Sequence, residues 1–82
     1  MAVLRYWAAA KAAAGVAEER CLEGNLADAL SMAASRHGEP LSRVLDRCSF
    51  LVDGDPVGGR DRGAIRLTEQ TVVEVLPPFA GG

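Results

Sequence analysis

The chain has 82 residues, of which 49% are hydrophobic and 24% are charged, and its formal net charge is −2. These values are typical of one globular domain with a core near the lower size limit for independent folding. The acidic balance and the scarcity of aromatic residues argue against a nucleic-acid partner, because phosphate binding needs basic patches and base stacking needs aromatic rings.

The first third of the chain predicts two strands around a short helix. Apolar, β-branched and aromatic residues favour a strand over 3–7. The alanine-rich segment 8–14 predicts one or two helical turns that end at Gly15. A second strand over 18–22 pairs antiparallel with the first because the connection is short, and it turns Cys21 or Leu22 inward.

A longer amphipathic helix follows. Asn25 is a good N-cap, and Asp28 sits in the first turn, where an acid favours the positive end of the helix dipole. We expect the helix to stop at Gly38 in the left-handed conformation. Pro40 then opens a second short helical turn over 41–47.

The remaining elements complete a sheet. A strand over 48–52 leads into Asp53-Gly54, a strong signal for a type I′ hairpin, and Pro56 limits the return strand. The polar segment 60–63 predicts a loop. The last strand, over 72–76, is apolar at four of five positions and belongs in the middle of the sheet.

These elements predict an α+β fold in which a mixed sheet packs on one main helix. The first and last strands are the most apolar, so we place them side by side at the centre of the sheet, running parallel. The expected product is a compact roll that grips the helix between 25 and 38.

Motifs for catalysis are missing from the sequence. It has no phosphate-binding loop and no nucleophile elbow. His37 is the single histidine and cannot build a histidine-rich metal site, so a role at the helix end is expected. The run Asp53-Gly54-Asp55 lacks the glutamate that would complete a calcium loop, because residue 64 is alanine.

The sequence also favours a cytoplasmic location. The first residues lack the basic and apolar segments of a secretory signal, and the alanine-rich stretch is too short to span a bilayer. Cys21 and Cys48 form neither a zinc pattern nor a redox pair, so we expect two buried thiols, with a disulfide only in an oxidising compartment.

The last six residues form a tail of unusual composition. Pro77 and Pro78 end the hydrogen-bonded ladder, and Phe79, Ala80, Gly81 and Gly82 follow without a charged side chain. We therefore predict a domain over 1–76 and an extended tail over 77–82, which spans about 20 Å at roughly 3.3 Å per residue.

The end of the tail suits acyl chemistry. Two glycines allow the carboxylate to pass down a narrow channel to a reactive centre. A carboxylate is a poor acyl donor until ATP converts it to an anhydride with AMP, after which a sulfur or amine nucleophile can attack. Gly82 has no β-carbon to crowd that attack.

The whole chain resembles the small subunit of molybdopterin synthase, the MoaD family of ubiquitin-like sulfur carriers. The matching features are the ending Val75-Leu76-Pro77-Pro78-Phe79-Ala80-Gly81-Gly82, the N-terminal strand before Ala12-Ala13-Ala14-Gly15, and the hairpin Phe50-Leu51-Val52-Asp53-Gly54. The resemblance implies the β-grasp fold. One departure is the stretch 67–71, where family members often carry a Gly-Asp turn.

The resemblance also implies a mechanism. An E1-like adenylating enzyme of the MoeB type would use ATP to adenylate the carboxylate of Gly82, and a sulfur donor enzyme would convert it to a thiocarboxylate. The tail would enter a MoaE-like large subunit of molybdopterin synthase and pass its sulfur to a pterin precursor, building the dithiolene. Pro77, Pro78, Phe79, Ala80 and Gly81 would be the partner-binding segment.

In this scheme the chain is a sulfur-donor subunit that binds no cofactor and has no catalytic residues of its own. Three alternatives share the fold and the ending. The chain could carry sulfur for another pathway, such as thiamin or cysteine synthesis. It could be a ubiquitin-like modifier that forms amide bonds to lysines, or a binding module whose tail is never activated.

Overall fold

The computed structural model describes residues 1–78 and contains these elements in chain order: β1 (Ala2–Tyr6), α1 (Ala8–Ala14), β2 (Glu18–Cys21), α2 (Leu26–His37), α3 (Glu39–Leu45), β3 (Ser49–Val52), β4 (Asp55–Pro56), a 3-10 turn (Arg62–Ala64) and β5 (Val72–Leu76). The described strands form one sheet with the order β2-β1-β5-β3-β4. This is the predicted α+β roll, a mixed sheet with helices on one face.

The two most apolar strands occupy the centre of the sheet, as predicted. β1 and β5 run parallel, with Val3 opposite Val72 and Tyr6 opposite Val75. β2 pairs antiparallel with β1 on one side, and β3 pairs antiparallel with β5 on the other. β2 ends at Cys21, which is buried, whereas Leu22 is 78% exposed. Cys21 is therefore the residue that turns inward.

The core lies between the inner face of the sheet and the helices. Alternate residues of the central strands point into it, because successive side chains of a strand face opposite ways. The largest fully buried side chains are Tyr6, Leu4, Leu26, Leu41, Val73 and Val75. Within residues 1–78, no helix has the length and apolar character needed to cross a membrane.

The ends of α2 agree with the prediction in part. Asn25 Oδ1 accepts a hydrogen bond of 2.8 Å from the Asp28 N–H, so Asn25 is the N-cap. Gly38 follows the helix with φ 83 and ψ −168, which is a positive φ but not the left-handed helical conformation that we expected. The reason is that Gly38 also begins α3, which starts at Glu39 rather than at residue 41.

The two polar segments between β4 and β5 have regular turn structure and specific side-chain contacts. The predicted loop at 60–63 contains the start of the 3-10 turn, and the Arg62 guanidinium lies 4.6 Å from the centre of the buried Phe50 ring. In the stretch that departs from the Gly-Asp pattern, the Thr68 N–H donates a 2.8 Å hydrogen bond to Thr71 Oγ1. Thr71 is buried, so side-chain hydrogen bonding stabilises this turn without glycine.

The hairpin between β3 and β4 has the predicted backbone. Asp53 has φ 49 and Gly54 has φ 86, the pair of positive values that a type I′ turn requires. Asp53 Oδ1 also accepts a hydrogen bond of 2.9 Å from the Val72 N–H. The hairpin is thereby tied to the start of the central strand β5.

We expect Gly54→Ala to lower the free energy of unfolding by about 1 kcal/mol, because an L-residue is disfavoured at positive φ. The added Cβ would meet no atom within 4 Å, so the loss isolates backbone strain. Gly59→Ala is the matched control, since its Cβ also meets nothing and its φ lies outside the strained range. Urea unfolding of both variants checks this; equal stability would contradict the assignment of strain.

Candidate partner-binding surface

The predicted tail begins at the end of the central strand. β5 ends at Leu76; Pro77 is buried and Pro78 is exposed. Among residues 1–78, Pro78 is thus the one predicted partner-binding residue whose side chain is exposed to solvent. The other predicted site residues, Phe79, Ala80, Gly81 and Gly82, lie outside the described residues, and their roles stay predictions.

Trp7 lies at the same end of the sheet. Its backbone N–H donates a hydrogen bond of 3.2 Å to the carbonyl oxygen of Val75, so Trp7 continues the pairing of β1 with β5. Its side chain is 45% exposed and makes no capping hydrogen bond to α1. A large aromatic side chain is thus available beside the C-terminal end of β5, where the predicted tail begins.

The face of the sheet turned away from the helices carries a set of half-buried apolar side chains. We call it the outer sheet face, and its apolar members are Val3, Leu51, Val72 and Leu76. They alternate with the core residues of the same strands and are absent from the set that packs against the core. Apolar groups of this kind, clustered on one face, are typical of a protein interaction surface.

Charged residues cross the middle of the outer sheet face. Arg5 Nε lies 3.2 Å from Glu18 Oε2, and Arg5 is also opposite Glu74 in the strand register. The two side chains of the ion pair are 42% and 54% exposed, so solvent screens the pair and its contribution to stability is small.

On the inner side of the sheet, a polar cluster joins β1, β2 and the end of α2. Glu19 is its centre. It accepts a hydrogen bond from the Tyr6 hydroxyl, lies 2.7 Å from His37 Nε2, and accepts one of 2.9 Å from Arg36 Nη1. The Tyr6 and His37 rings meet edge to face at 6.2 Å. His37 is a helix-end residue, as expected, and its ring nitrogen contacts a carboxylate.

The electrostatics of this cluster follow from burial and hydrogen bonding. Burial raises the pKa of Tyr6, and the hydrogen bond to Glu19 raises it further. Burial also acts to raise the pKa of Glu19, but the hydrogen bonds from Tyr6, His37 and Arg36 outweigh it and hold the pKa below its ordinary value of 4.5. The carboxylate is the form that the folded protein favours.

We expect Glu19→Gln to lower the free energy of unfolding at pH 7 by about 1.5–3 kcal/mol, the range for hydrogen bonds to a charged group. Because folding depresses the pKa of Glu19, its contribution is present above pH 4.5 and is lost as the pH falls through the folded-state pKa. Glu18→Gln on the same strand is the control, with a loss below about 1 kcal/mol for an exposed pair. Equal losses in the two variants at pH 7 would contradict this account.

The two thiols are buried and free, as predicted. Burial raises the pKa of both, that of Cys48 to about 11, and Cys48 Sγ donates to the carbonyl oxygen of Val44 at 3.2 Å. Neither is a thiolate nucleophile at neutral pH. In the part of the chain that the structure describes, no cluster of histidine, cysteine or acidic residues could hold a metal ion.

Comparison with protein families gives one assignment. The model of the ThiS family matches residues 4–82, which is nearly the whole chain and includes the glycine ending. The chain belongs to the ThiS family. No curated protein matches it significantly.

Solved structures support the fold of this ThiS-family chain. The small archaeal modifier protein 1 of Methanosarcina acetivorans is similar with a TM-score of 0.84 at 18% identity, over 99% of this chain and 95% of that one. A putative molybdopterin converting factor, subunit 1, from Pyrococcus furiosus has a TM-score of 0.75 at 25% identity, over 95% and 97%. The small archaeal modifier protein 1 of Haloferax volcanii has a TM-score of 0.75 at 22% identity, over 99% and 98%.

The expected β-grasp fold and the resemblance to ubiquitin-like carriers are therefore confirmed. The family contains the ThiS/MoaD type of ubiquitin-like domain, a fold shared by sulfur carriers and protein modifiers. Two features were not predicted from the sequence. Trp7 was assigned only to a strand, although its spacing from Val3 and Arg5 places it on the outer side. The Glu19 cluster left no sequence signal, because a charged run in an edge strand usually faces solvent.

Proposed function

We propose that this chain is a sulfur carrier for molybdopterin synthesis. The carboxylate of Gly82 is adenylated, converted to a thiocarboxylate, and donates its sulfur to form the dithiolene. The observation that carries the proposal is the match of the ThiS family through Gly82. The similarity to a putative molybdopterin converting factor subunit over 95% of the chain favours this pathway.

The chemistry is divided between the tail and its partners. ATP is used by an E1-like adenylating enzyme of the MoeB type, which makes Gly82 an acyl adenylate with a good leaving group. A sulfur donor enzyme then supplies the sulfur that replaces AMP. The final acceptor is bound by a MoaE-like large subunit, so this chain needs to bind no cofactor itself.

The folded domain of this carrier provides the surface that its partner enzymes bind. Trp7, Leu76 and Pro78 lie at the C-terminal end of β5, and together with the rest of the outer sheet face they form the docking surface for the adenylating enzyme and the large subunit. An exposed tryptophan together with half-buried apolar side chains is typical of the core of a protein interface. Arg5 and Glu74, which lie opposite each other on neighbouring strands, add charged groups to this surface. The buried thiols take no part in the transfer.

A second candidate function is protein modification. The two small archaeal modifier proteins cover 99% of this chain, and their likeness fits an amide-forming role as well as a carrier role. In that case the activated Gly82 carbonyl is attacked by a lysine amine rather than by sulfur. A sulfur carrier for thiamin or cysteine synthesis would share the first two steps of the leading proposal.

Reconstitution separates these functions. The full chain is incubated with the adenylating enzyme, ATP and the sulfur donor, and its intact mass is measured before and after the large subunit and the pterin precursor are added. The proposal predicts oxygen-for-sulfur exchange at Gly82, which the large subunit and precursor reverse. If the sulfur is lost only when the acceptor of another pathway is added, the chain is a sulfur carrier for that pathway. If lysines acquire amide adducts and Gly82 never acquires sulfur, the chain is a protein modifier.

A further inference from the structure

The two edges of the described sheet differ in how they are protected. At one edge, β4 has two residues, and Pro56 lacks the N–H that a further strand would need. At the other edge, β2 has four residues, and no described strand lies beyond it. An exposed edge of this kind can pair with another chain. The edge of β2 is therefore a candidate interaction surface.

The backbone of β2 presents free hydrogen-bonding groups along this edge. The Tyr6 N–H donates a 2.8 Å hydrogen bond to the carbonyl oxygen of Ala17, so these two residues form a hydrogen-bonded pair. Such pairs alternate along an antiparallel ladder, so Glu19 also bonds to β1, whereas the backbone groups of Glu18 and Arg20 face away from β1. Among the described residues, neither has a backbone hydrogen bond outside the sheet pairing. Each can offer one N–H and one C=O to a second strand.

The side chains along β2 indicate which partner this edge fits. Glu18 and Arg20 lie on the outer sheet face, and both are exposed. Val16 lies two residues before this pair and Leu22 two residues after it, and they are 41% and 78% exposed. The order along the edge is thus apolar, acidic, basic, apolar. Read in the opposite direction, this order is its own complement.

We infer that this edge pairs with the same edge of a second copy, β2 against β2, in an antiparallel register centred on Glu19. In that register Glu18 of each copy lies opposite Arg20 of the other, and both turn their backbone groups toward the partner strand. Val16 lies opposite Leu22 in the same way. The contact is isologous, because a two-fold axis through its centre exchanges the copies. Two five-stranded sheets become one continuous sheet.

Charge selects this register among those that align the free backbone groups. A shift of two residues in either direction places Glu18 opposite Glu18 or Arg20 opposite Arg20, and like charges directly opposite each other destabilise a sheet. The inferred register instead forms two acid–base pairs. Arg20 has no ion-pair partner among residues 1–78, so the second copy supplies one. Glu18 keeps its 3.2 Å contact with Arg5, which lies on the β1 side.

The centre of the contact brings the two Glu19 residues opposite each other on the inner side of the sheet. Within each copy this carboxylate accepts hydrogen bonds from Tyr6 and Arg36 and lies 2.7 Å from His37 Nε2, so its charge is already compensated. A contact of one short strand is smaller than the about 1,200–2,000 Å² of a stable interface. We therefore expect a weak dimer with a Kd of about 0.1 mM, so the chain is monomeric at the low-micromolar concentrations of a large-subunit titration.

Sedimentation of the full chain over a range of concentrations measures the pairing. Arg20→Glu places acids opposite each other and Glu18→Arg places bases opposite each other, so each variant alone is expected to dimerise at least about tenfold more weakly than the wild type. An equimolar mixture of the two variants restores both acid–base pairs. We expect a heterodimer with an affinity near that of the wild type, which native mass spectrometry distinguishes from either homodimer. Recovery in the mixture also shows that neither variant is misfolded.

Amide hydrogen exchange locates the contact. In the wild type, exchange at Glu18 and Arg20 is expected to slow as the concentration rises to about 1 mM, because their N–H groups become bonded. A chain that stays monomeric at this concentration would overturn the proposal. So would dimers of Arg20→Glu as stable as those of the wild type, a mixture of variants that forms no heterodimer, or a dimer in which these two amides stay unprotected.

Discussion

Deletion of Gly82 is expected to abolish ATP-dependent activation and sulfur transfer while leaving the fold intact. The residue that would then end the chain, Gly81, also bears a carboxylate, but it reaches one residue less far, about 3.3 Å. A displacement of 1 Å from the reacting position can cost about a hundredfold in rate, so this shift removes the reaction. Release of pyrophosphate in the presence of the adenylating enzyme measures the effect.

The thermal midpoint provides the control for this deletion. The hydrophobic core that the structure describes is built from residues between Ala2 and Val75, so the truncated chain is expected to unfold at the same temperature as the full chain. Gly82→Ala, which keeps the length, is expected to retain part of the activity because only a β-carbon crowds the attack. A truncated protein with full sulfur-transfer activity would refute the assigned role of Gly82.

Replacement of Trp7 by alanine is expected to weaken binding to the large subunit by about 2 kcal/mol or more, roughly 30-fold in Kd. Trp7 is 45% exposed beside the C-terminal end of β5, and a tryptophan that fills a partner pocket is among the strongest contributors to an interface. The side chain makes no capping hydrogen bond to α1, so its replacement removes no helix cap. Calorimetric titration of the variant measures the loss.

Leu22→Ala is the matched control for the tryptophan variant. Leu22 is 78% exposed and follows β2 at the end of the sheet far from the tail. Its replacement removes exposed apolar surface of the same kind but away from the docking surface, so Kd is expected to stay within a factor of about two. Equal losses from both variants, or none from either, would contradict the placement of the docking surface around the tail exit.

The sheet could be predicted because its determinants are local. Apolar runs identify β1 and β5 as the central strands, Asp53-Gly54 specifies the hairpin, and Asn25 marks the start of α2. Each of these signals lies within a few residues of the element that it specifies. The connection between the first two strands is too short for a parallel crossover, so it predicts that they pair antiparallel.

The remaining features depend on contacts between distant parts of the chain. Glu19 becomes a half-buried hydrogen-bond acceptor because β2 pairs with β1 and because α2 ends over it, and neither condition is visible in its own strand. Gly38 adopts an unexpected ψ because a second helix begins directly after it. Pro77 is buried, although the double proline predicts an exit from the sheet at this residue.

The central claim is that the carboxyl group of Gly82 carries sulfur in the cell. Intact-mass measurement of the protein isolated from its native cells, followed by fragmentation of the C-terminal peptide, tests it most directly. We predict a fraction of molecules in which one oxygen of Gly82 is replaced by sulfur, and we expect this fraction to disappear when the adenylating enzyme is removed. A C-terminal peptide that carries only an ordinary carboxylate under sulfur-replete growth, with the enzyme present, would contradict it.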